Sequence, residues 1–227
     1  MRFEDLNWFD VEAYLQQDDR LILVLGSCEQ HAYLSLQTDV KIPLALADAV
    51  SQRSGVLVAP PLNFGSSPYF LGYPGTLSLR ISTLLDVVED LVRSAYGHGF
   101  RRILVLNGHG GNDGARSRLY ELANELPDLR LAWYAWWTAH SVEAVAQKHG
   151  LKPAHASWLE AFPFVQVAES PAAAKPPPRV PGLVGKDLAR QLYGDGNFGG
   201  PYQVDEAILH EVFASALQDV MTLLQFD

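Results

Sequence analysis

Leu21-Ile22-Leu23-Val24-Leu25 runs directly into Gly26-Ser27-Cys28-Glu29-Gln30-His31 and then, through Thr38, to Asp39. Five apolar residues without a polar interruption read as a strand buried on both faces, the kind that parallel sheets contain. The polar residues that follow therefore sit just past the carboxyl end of a strand, where open α/β sheets place their ligands. Glu29 and His31 are two apart, so a locally extended backbone directs both side chains the same way. That is a metal-chelating arrangement.

A second run, Arg102-Ile103-Leu104-Val105-Leu106, ends in Asn107-Gly108-His109-Gly110-Gly111-Asn112 and carries another imidazole to another strand end. A strand followed by Gly-x-Gly and a helix can cradle a dinucleotide phosphate. Here Asp113 occupies the place of the third glycine of that fingerprint, and it would set negative charge against the phosphates. An imidazole flanked by glycines fits better as an exposed ligand with space beside it for substrate. Two strand ends with hard ligands point to a divalent-metal hydrolase.

Apolar runs and helical spacing alternate along the chain, which predicts an α/β fold with a largely parallel sheet. A helix is expected over Ile42–Ser54, stopped by Gly55, then a short strand Val56–Ala59 halted by Pro60-Pro61. Thr83–His98 has the clearest apolar face (Leu84, Val87, Val88, Leu91, Ala95), with Ser82 or Thr83 as its cap. Asn112 or Asp113 is expected to cap the next helix, which ends at Pro127. Leu129–Trp136 reads as a strand and Val204–Leu224 as a terminal amphipathic helix. Ser170–Pro181, with five prolines, reads as an extended loop across the surface of one domain spanning residues 1–227. It contributes to a subunit contact, to the rim of a site, or to neither.

Composition narrows the function classes. The chain has 227 residues, 48% hydrophobic and 19% charged, which is globular and large enough for a substantial core. A net charge of −9 with no basic cluster argues against nucleic acid as a partner. Neither a signal-peptide pattern nor a run of membrane-spanning length is present, so a cytoplasmic, membrane-free setting is expected. The single cysteine, Cys28, rules out an internal disulfide and reads as a small packing residue. His98, at a helix end, and His140, His149 and His210, in helical stretches, read as surface residues.

Glu29-Gln30-His31 with Thr38-Asp39, Gly72-Tyr73-Pro74-Gly75-Thr76-Leu77-Ser78-Leu79, and Asn107-Gly108-His109-Gly110-Gly111-Asn112 together resemble the creatininase (creatinine amidohydrolase) family. The resemblance extends from about Val24 to the Gly194–Gly200 region. It implies a three-layer αβα sandwich with a mainly parallel sheet, hydrolysis of cyclic amide or other C–N bonds in a small molecule, two divalent metals per chain and assembly into hexamers. Residue by residue, it implies one metal on Glu29, Asp39 and His109 and a second on His31, the bridging Asp39 and Glu160, with His155 as the proton-handling histidine. Relatives of this fold also include formamide deformylases and peptide-trimming proteases, and a non-catalytic metal-binding oligomer is a third alternative. Carboxylate and imidazole ligands without thiolate suit zinc first, with manganese or iron as alternatives.

The chain departs from the family pattern in three places. The usual His-Gly-Pro-His-Leu-Pro-Leu segment is replaced by His31-Ala32-Tyr33-Leu34-Ser35-Leu36, one residue shorter and without its second histidine. Gly111 stands where creatininase proper has an acidic residue, and Trp158 follows Ser157 where the pattern has small or acidic neighbours. These differences weigh against creatinine itself as the substrate. Gly110 and Gly111 N–H groups are expected to stabilise an oxyanion, and Trp136 or Trp137 to stack on a flat substrate ring. Trp133, Tyr134, Trp136 and Trp137 otherwise read as sheet core and oligomer contact.

Overall fold

The computed structural model describes residues 1–227. Its centre is a four-stranded, fully parallel sheet formed by β1 (Arg20–Leu25), β2 (Leu57–Val58), β3 (Arg102–Asn107) and β4 (Arg130–Ala135), in the order β2-β1-β3-β4. The helices are α1 (Trp8–Leu15), α2 (Thr38–Ser54), α3 (Ile81–His98), α4 (Ala115–Glu125), α5 (His140–Lys148), α6 (Lys186–Tyr193) and α7 (Glu206–Leu223). Helices cover both faces of the sheet, which makes the three-layer αβα sandwich that the sequence predicts.

The pleat sorts the strand side chains into two cores. Ile22 and Val24 of β1, with Leu104 and Leu106 of β3, pack against α2, α5 and α7. Leu21, Leu23 and Leu25, with Ile103 and Val105, pack against α3 and α4. Alternate residues of β1 and β3 thus serve opposite layers, which is why the interiors of these strands, between Arg20 or Arg102 and the carboxyl end, are entirely apolar.

Several boundaries differ from the sequence reading. Helix α2 begins at Thr38, four residues before Ile42, so Asp39 lies in its first turn. Helix α3 begins at Ile81 with Arg80 as an extended N-cap that makes no side-chain bond; Ser82 and Thr83 lie inside its first turn. Neither Asn112 nor Asp113 caps α4, whose N-cap is Gly114. The Asn112 side chain is spent elsewhere: its amide donates to Gly26 O (3.1 Å) and Asn107 Oδ1 (3.2 Å), and its oxygen accepts from Ser66 N–H (3.3 Å). It ties three loops together instead of starting a helix. The last strand stops at Ala135, because Trp136–Thr138 turns into a 3₁₀ helix.

Two glycines set how closely α2 approaches the sheet. A Cβ on Gly108 would overlap Asp39 O, and one on Gly26 would overlap Val40 Cγ2. Pro43, inside α2, has no N–H to offer the Asp39 carbonyl, so the strand-end backbone can lie directly against that oxygen. The first turn of α2 therefore sits between the ends of β1 and β3, and Asp39 reaches both.

Candidate metal centre and its cavity

The two strand ends and the α2 turn converge on a buried group of acids and imidazoles. Glu29, His31, Asp39, His109 and Glu160 are each at most 8% exposed. His109 Nδ1 lies 3.1 Å from Asp39 Oδ2 and 3.3 Å from Glu29 Oε1. His31 Nε2 lies 2.9 Å from Asp39 Oδ1 and 3.8 Å from Glu160 Oε1. The ligand atoms of Glu29, Asp39 and His109 lie within 4.8 Å of one another, and so do those of His31, Asp39 and Glu160. Asp39 belongs to both groups and offers a different oxygen to each.

Each imidazole is held so that its free nitrogen faces the acids. The His109 Nε2–H donates to Ser66 O at 3.0 Å, leaving Nδ1 facing Glu29 and Asp39. His31 Nδ1–H donates to the Glu29 carbonyl at 3.2 Å, leaving Nε2 toward Asp39 and Glu160. Outer hydrogen bonds of this kind fix the tautomer of metal-ligating histidines. Glu160, on the 3₁₀ turn Trp158–Glu160, accepts from Ala156 N–H (2.5 Å) through Oε2, which frees Oε1 for the cluster. Ala156 reaches that orientation at φ 54°, in the left-handed region.

The donor set fits divalent cations. Glu29 Oε2, His31 Nε2 and Asp39 Oδ2 are buried and make no well-aligned hydrogen bond, although His31 Nε2 and Asp39 Oδ2 lie within ion-pair distance of Asp39 Oδ1 and His109 Nδ1. Buried polar atoms so poorly satisfied are costly unless something binds them. Three carboxylates confined with two imidazoles also force protons onto the group. Burial disfavours charge on His31, yet the Asp39 and Glu160 carboxylates raise its pKa to about 10. His109 is held well above the ordinary imidazole value against the same burial by Glu29 and Asp39. Asp39 is itself buried, but His31 and His109 keep it well below the usual carboxylate range. Burial, reinforced by Asp39, pushes Glu160 up to about 7 although His31 opposes it. Protons thus stand where positive charge is needed.

His155 lies outside both triads that share Asp39, although its ligand atom and those of Glu29 and His31 also lie within 4.8 Å of one another. Its Nδ1 is 3.9 Å from Glu29 Oε1, and its ring centroid is 4.4 Å from that of His31. Phe70 stacks on it at 4.7 Å, and Phe198 leans on it at 4.9 Å. Burial first, and the neighbouring His31 cation second, lower its pKa well below the ordinary value, so it is neutral at pH 7. The Gln30 backbone carbonyl (3.0 Å) and the Gln30 side-chain amide (2.8 Å) both face His155 Nε2. One can accept a proton and the other can donate one, so the ring is supported in either tautomer.

A cavity of about 720 Å³ opens onto the cluster. Glu29, Asp39, His109, His155 and Glu160 reach it, together with Gly110 and Gly111. The Gly110 and Gly111 N–H groups are not used by the loop, whose bonds run from Asn112 N–H to His109 O and from Asp113 N–H to Gly110 O. A Cβ at Gly111 would overlap Ser66 O, so the missing acidic residue is enforced by the backbone path. Trp137 lines the cavity, whereas Trp136, 1% exposed, packs in the core and does not reach it. Cys28 lies outside it, with Sγ 3.5 Å from Gly75 O. His98, His140, His149 and His210 are on the surface.

Sequence reasoning passed over the aromatic wall of Tyr69, Phe70 and Phe198, and the support given by Gln30 and Ser66. Phe70 ends a single 3₁₀ turn, Pro68–Phe70, and Phe198 lies in a loop far along the chain, with no periodicity to reveal either. The Pro-rich segment contributes at a distance: Lys175 Nζ bonds Asp195 Oδ1 (2.5 Å) and Asn197 O (2.7 Å), which anchors the loop bearing Phe198.

Known proteins share this chain's sequence pattern and fold. The family model described as creatinine amidohydrolase matches residues 4–224. Creatinine amidohydrolase of Pseudomonas putida is 33% identical over 157 residues, 63% of this chain and 60% of that protein. Mycofactocin precursor peptide peptidase of Mycolicibacterium smegmatis is 37% identical over 99 residues, 40% of each. The matches thus span less than two thirds of either relative. Among solved structures, a mutant creatininase superposes with a TM-score of 0.77 at 25% identity, covering 97% of this chain and 96% of that one.

Proposed function

The chain belongs to the creatininase family, and we propose that within it this protein hydrolyses an amide-type C–N bond of a small molecule with the help of two divalent ions. The observation that carries this reading is the pair of buried carboxylate–imidazole triads that share Asp39 at the inner end of an open cavity. Glu29, Asp39 and His109 would hold one ion, and His31, Asp39 and Glu160 the other. The hard oxygen and imidazole donors suit zinc first, with manganese or iron as alternatives. When bound, the ions supply a water of lowered pKa and polarise the substrate carbonyl.

The chain's own groups supply the rest. Hydrolysis forms a C–O bond to the oxygen of water, breaks the C–N bond and leaves one proton of that water on the departing nitrogen. His155 is neutral, faces the cluster and is supported in both tautomers, which suits it to take up that proton and return it to the nitrogen. The Gly110 and Gly111 N–H groups, unused by the loop and on the cavity lining, would supply donors to a developing oxyanion. Phe70, stacked on His155, fixes the ring plane and keeps bulk water from it.

A second reading, trimming of a peptide, is favoured by the 37% identity to the M. smegmatis peptidase. Hydrolysis of a panel of cyclic ureides, formamides and short peptides by metal-loaded and chelator-stripped protein distinguishes the two. Turnover of the first two classes that disappears on stripping and returns on reloading supports the amidohydrolase. Turnover confined to peptides favours the second reading, and no turnover on any member contradicts both.

A further inference from the structure

We propose that the substrate is an uncharged amide whose substituent remote from the scissile carbonyl is flat and apolar, and that the cavity discriminates against a carboxylate on that substituent. This rests on the hydrolase reading above and specifies what the same site accepts.

The argument starts from what the cavity walls lack. No lysine or arginine lines it, and the chain as a whole carries −9. All its charged groups lie at the inner end, in the cluster that grips the ions. Beyond that end the walls are Tyr69, Phe70, Phe198, Trp137 and Ile81. The hydroxyl side chains on its lining are neutral and supply no counter-charge: Ser67 Oγ pairs with Ser27 Oγ at 2.6 Å, Thr138 Oγ1 donates to Ala135 O at 3.2 Å, and the other two belong to Ser66 and Tyr69. An anion placed there would lose its hydration and find no counter-charge.

Size and shape agree. About 720 Å³ falls in the range of about 300–1,000 Å³ typical of cavities for drug-sized ligands, ample for a ring beyond the scissile group. Tyr69, Phe70 and Phe198 form one connected aromatic wall, with Tyr69–Phe70 centroids at 5.0 Å and Phe70–Phe198 at 5.8 Å. Tyr193 stacks behind Phe198 at 4.0 Å and 20°, which stiffens that wall. Rigid aromatic faces favour a flat apolar partner. The same lack of a cation disfavours a peptide that presents its terminal carboxylate.

Two matched pairs test the inference on the metal-loaded protein. The first is 4-(hydroxymethyl)formanilide against 4-formamidobenzoate, which differ in charge far more than in electron demand. The neutral member should show kcat/KM at least about tenfold higher, through KM. The second pair, 4-(hydroxymethyl)benzohydroxamate and 4-carboxybenzohydroxamate, binds metal sites without turnover, and calorimetry should give the neutral member a Kd at least about tenfold lower. Ile81→Arg, which puts a cation on the cavity wall, should shrink both ratios. Equal affinities for the two hydroxamates, or tighter binding of the anionic one, overturns the inference. A neutral preference in binding with no hydrolysis of either anilide upholds it and counts instead against the hydrolase reading.

Discussion

Asp39 offers Oδ1 to His31 at 2.9 Å and Oδ2 to His109 at 3.1 Å, so a single carboxylate organises both halves of the cluster. Without cations, the surplus negative charge is met by protons on His31 and His109, whose pKa values stand above the ordinary imidazole value. Metal uptake must expel those protons. Two unperturbed imidazoles would carry less than one proton between them at pH 7, whereas His31 at about 10 and the upward shift of His109 favour a larger share. Calorimetric metal titration at pH 7 in buffers of different ionisation enthalpy should therefore show release of more than one proton per chain; release of half a proton or fewer would mean that the rings bind no such charge. The direction follows from the same shifts: metal affinity falls as pH drops, because the raised imidazoles and Glu160, at about 7, then hold protons against the ion. His155 behaves differently. It lies outside the Asp39-sharing triads and is neutral, so His155→Ala should keep fold and metal content while losing on the order of 10²–10⁴-fold in rate; loss of an ion in that variant would move His155 into the ligand set.

Elements reach these positions through close approach more than through helix caps. The strand runs and their polar ends could be read directly from sequence, because β1 and β3 are buried on both faces and carry only apolar residues between the arginine that opens each strand and its carboxyl end. Helix starts could not. Asn112 has the chemistry of an N-cap, but its three hydrogen bonds go to Gly26, Asn107 and Ser66, and no local pattern records those long-range demands. The early start of α2 was hidden for a related reason: its first turn, containing Asp39, is fixed by packing on Gly26 and Gly108 rather than by a cap of its own. Phe70 and Phe198 were invisible because one ends a single 3₁₀ turn, the other lies in a loop, and each acquires meaning only beside His155. Gly108→Ala tests the packing account. Its methyl would overlap Asp39 O, so the α2 turn must retreat, lowering stability by on the order of 1–3 kcal/mol and weakening metal retention as well. Urea denaturation with a paired metal assay reads both; a variant with unchanged stability and metal content would show that α2 does not depend on this contact.

At the scale of the molecule, one α/β unit places every proposed ligand at one end of its sheet or in a loop that folds over that end. No helix is long and apolar enough to cross a membrane. The surface retains large apolar side chains, Trp8 and Phe9 among them, at 64% and 60% exposure with their rings 3.6 Å apart. Exposed aromatics of this kind are concentrated at subunit contacts. We expect a closed symmetric homo-oligomer, with six chains the number suggested by the family. Light scattering at micromolar concentration should give a mass several times 25.0 kDa, and a stable monomer would reject this expectation. The central claim is the two-ion site joined by Asp39, and counting metal per chain by elemental analysis of loaded, exhaustively dialysed protein tests it most directly. The account predicts two ions in the wild type and almost none in Asp39→Ala, since that change removes a ligand from each triad. One ion per wild-type chain, or an Asp39→Ala variant that retains two, would contradict it.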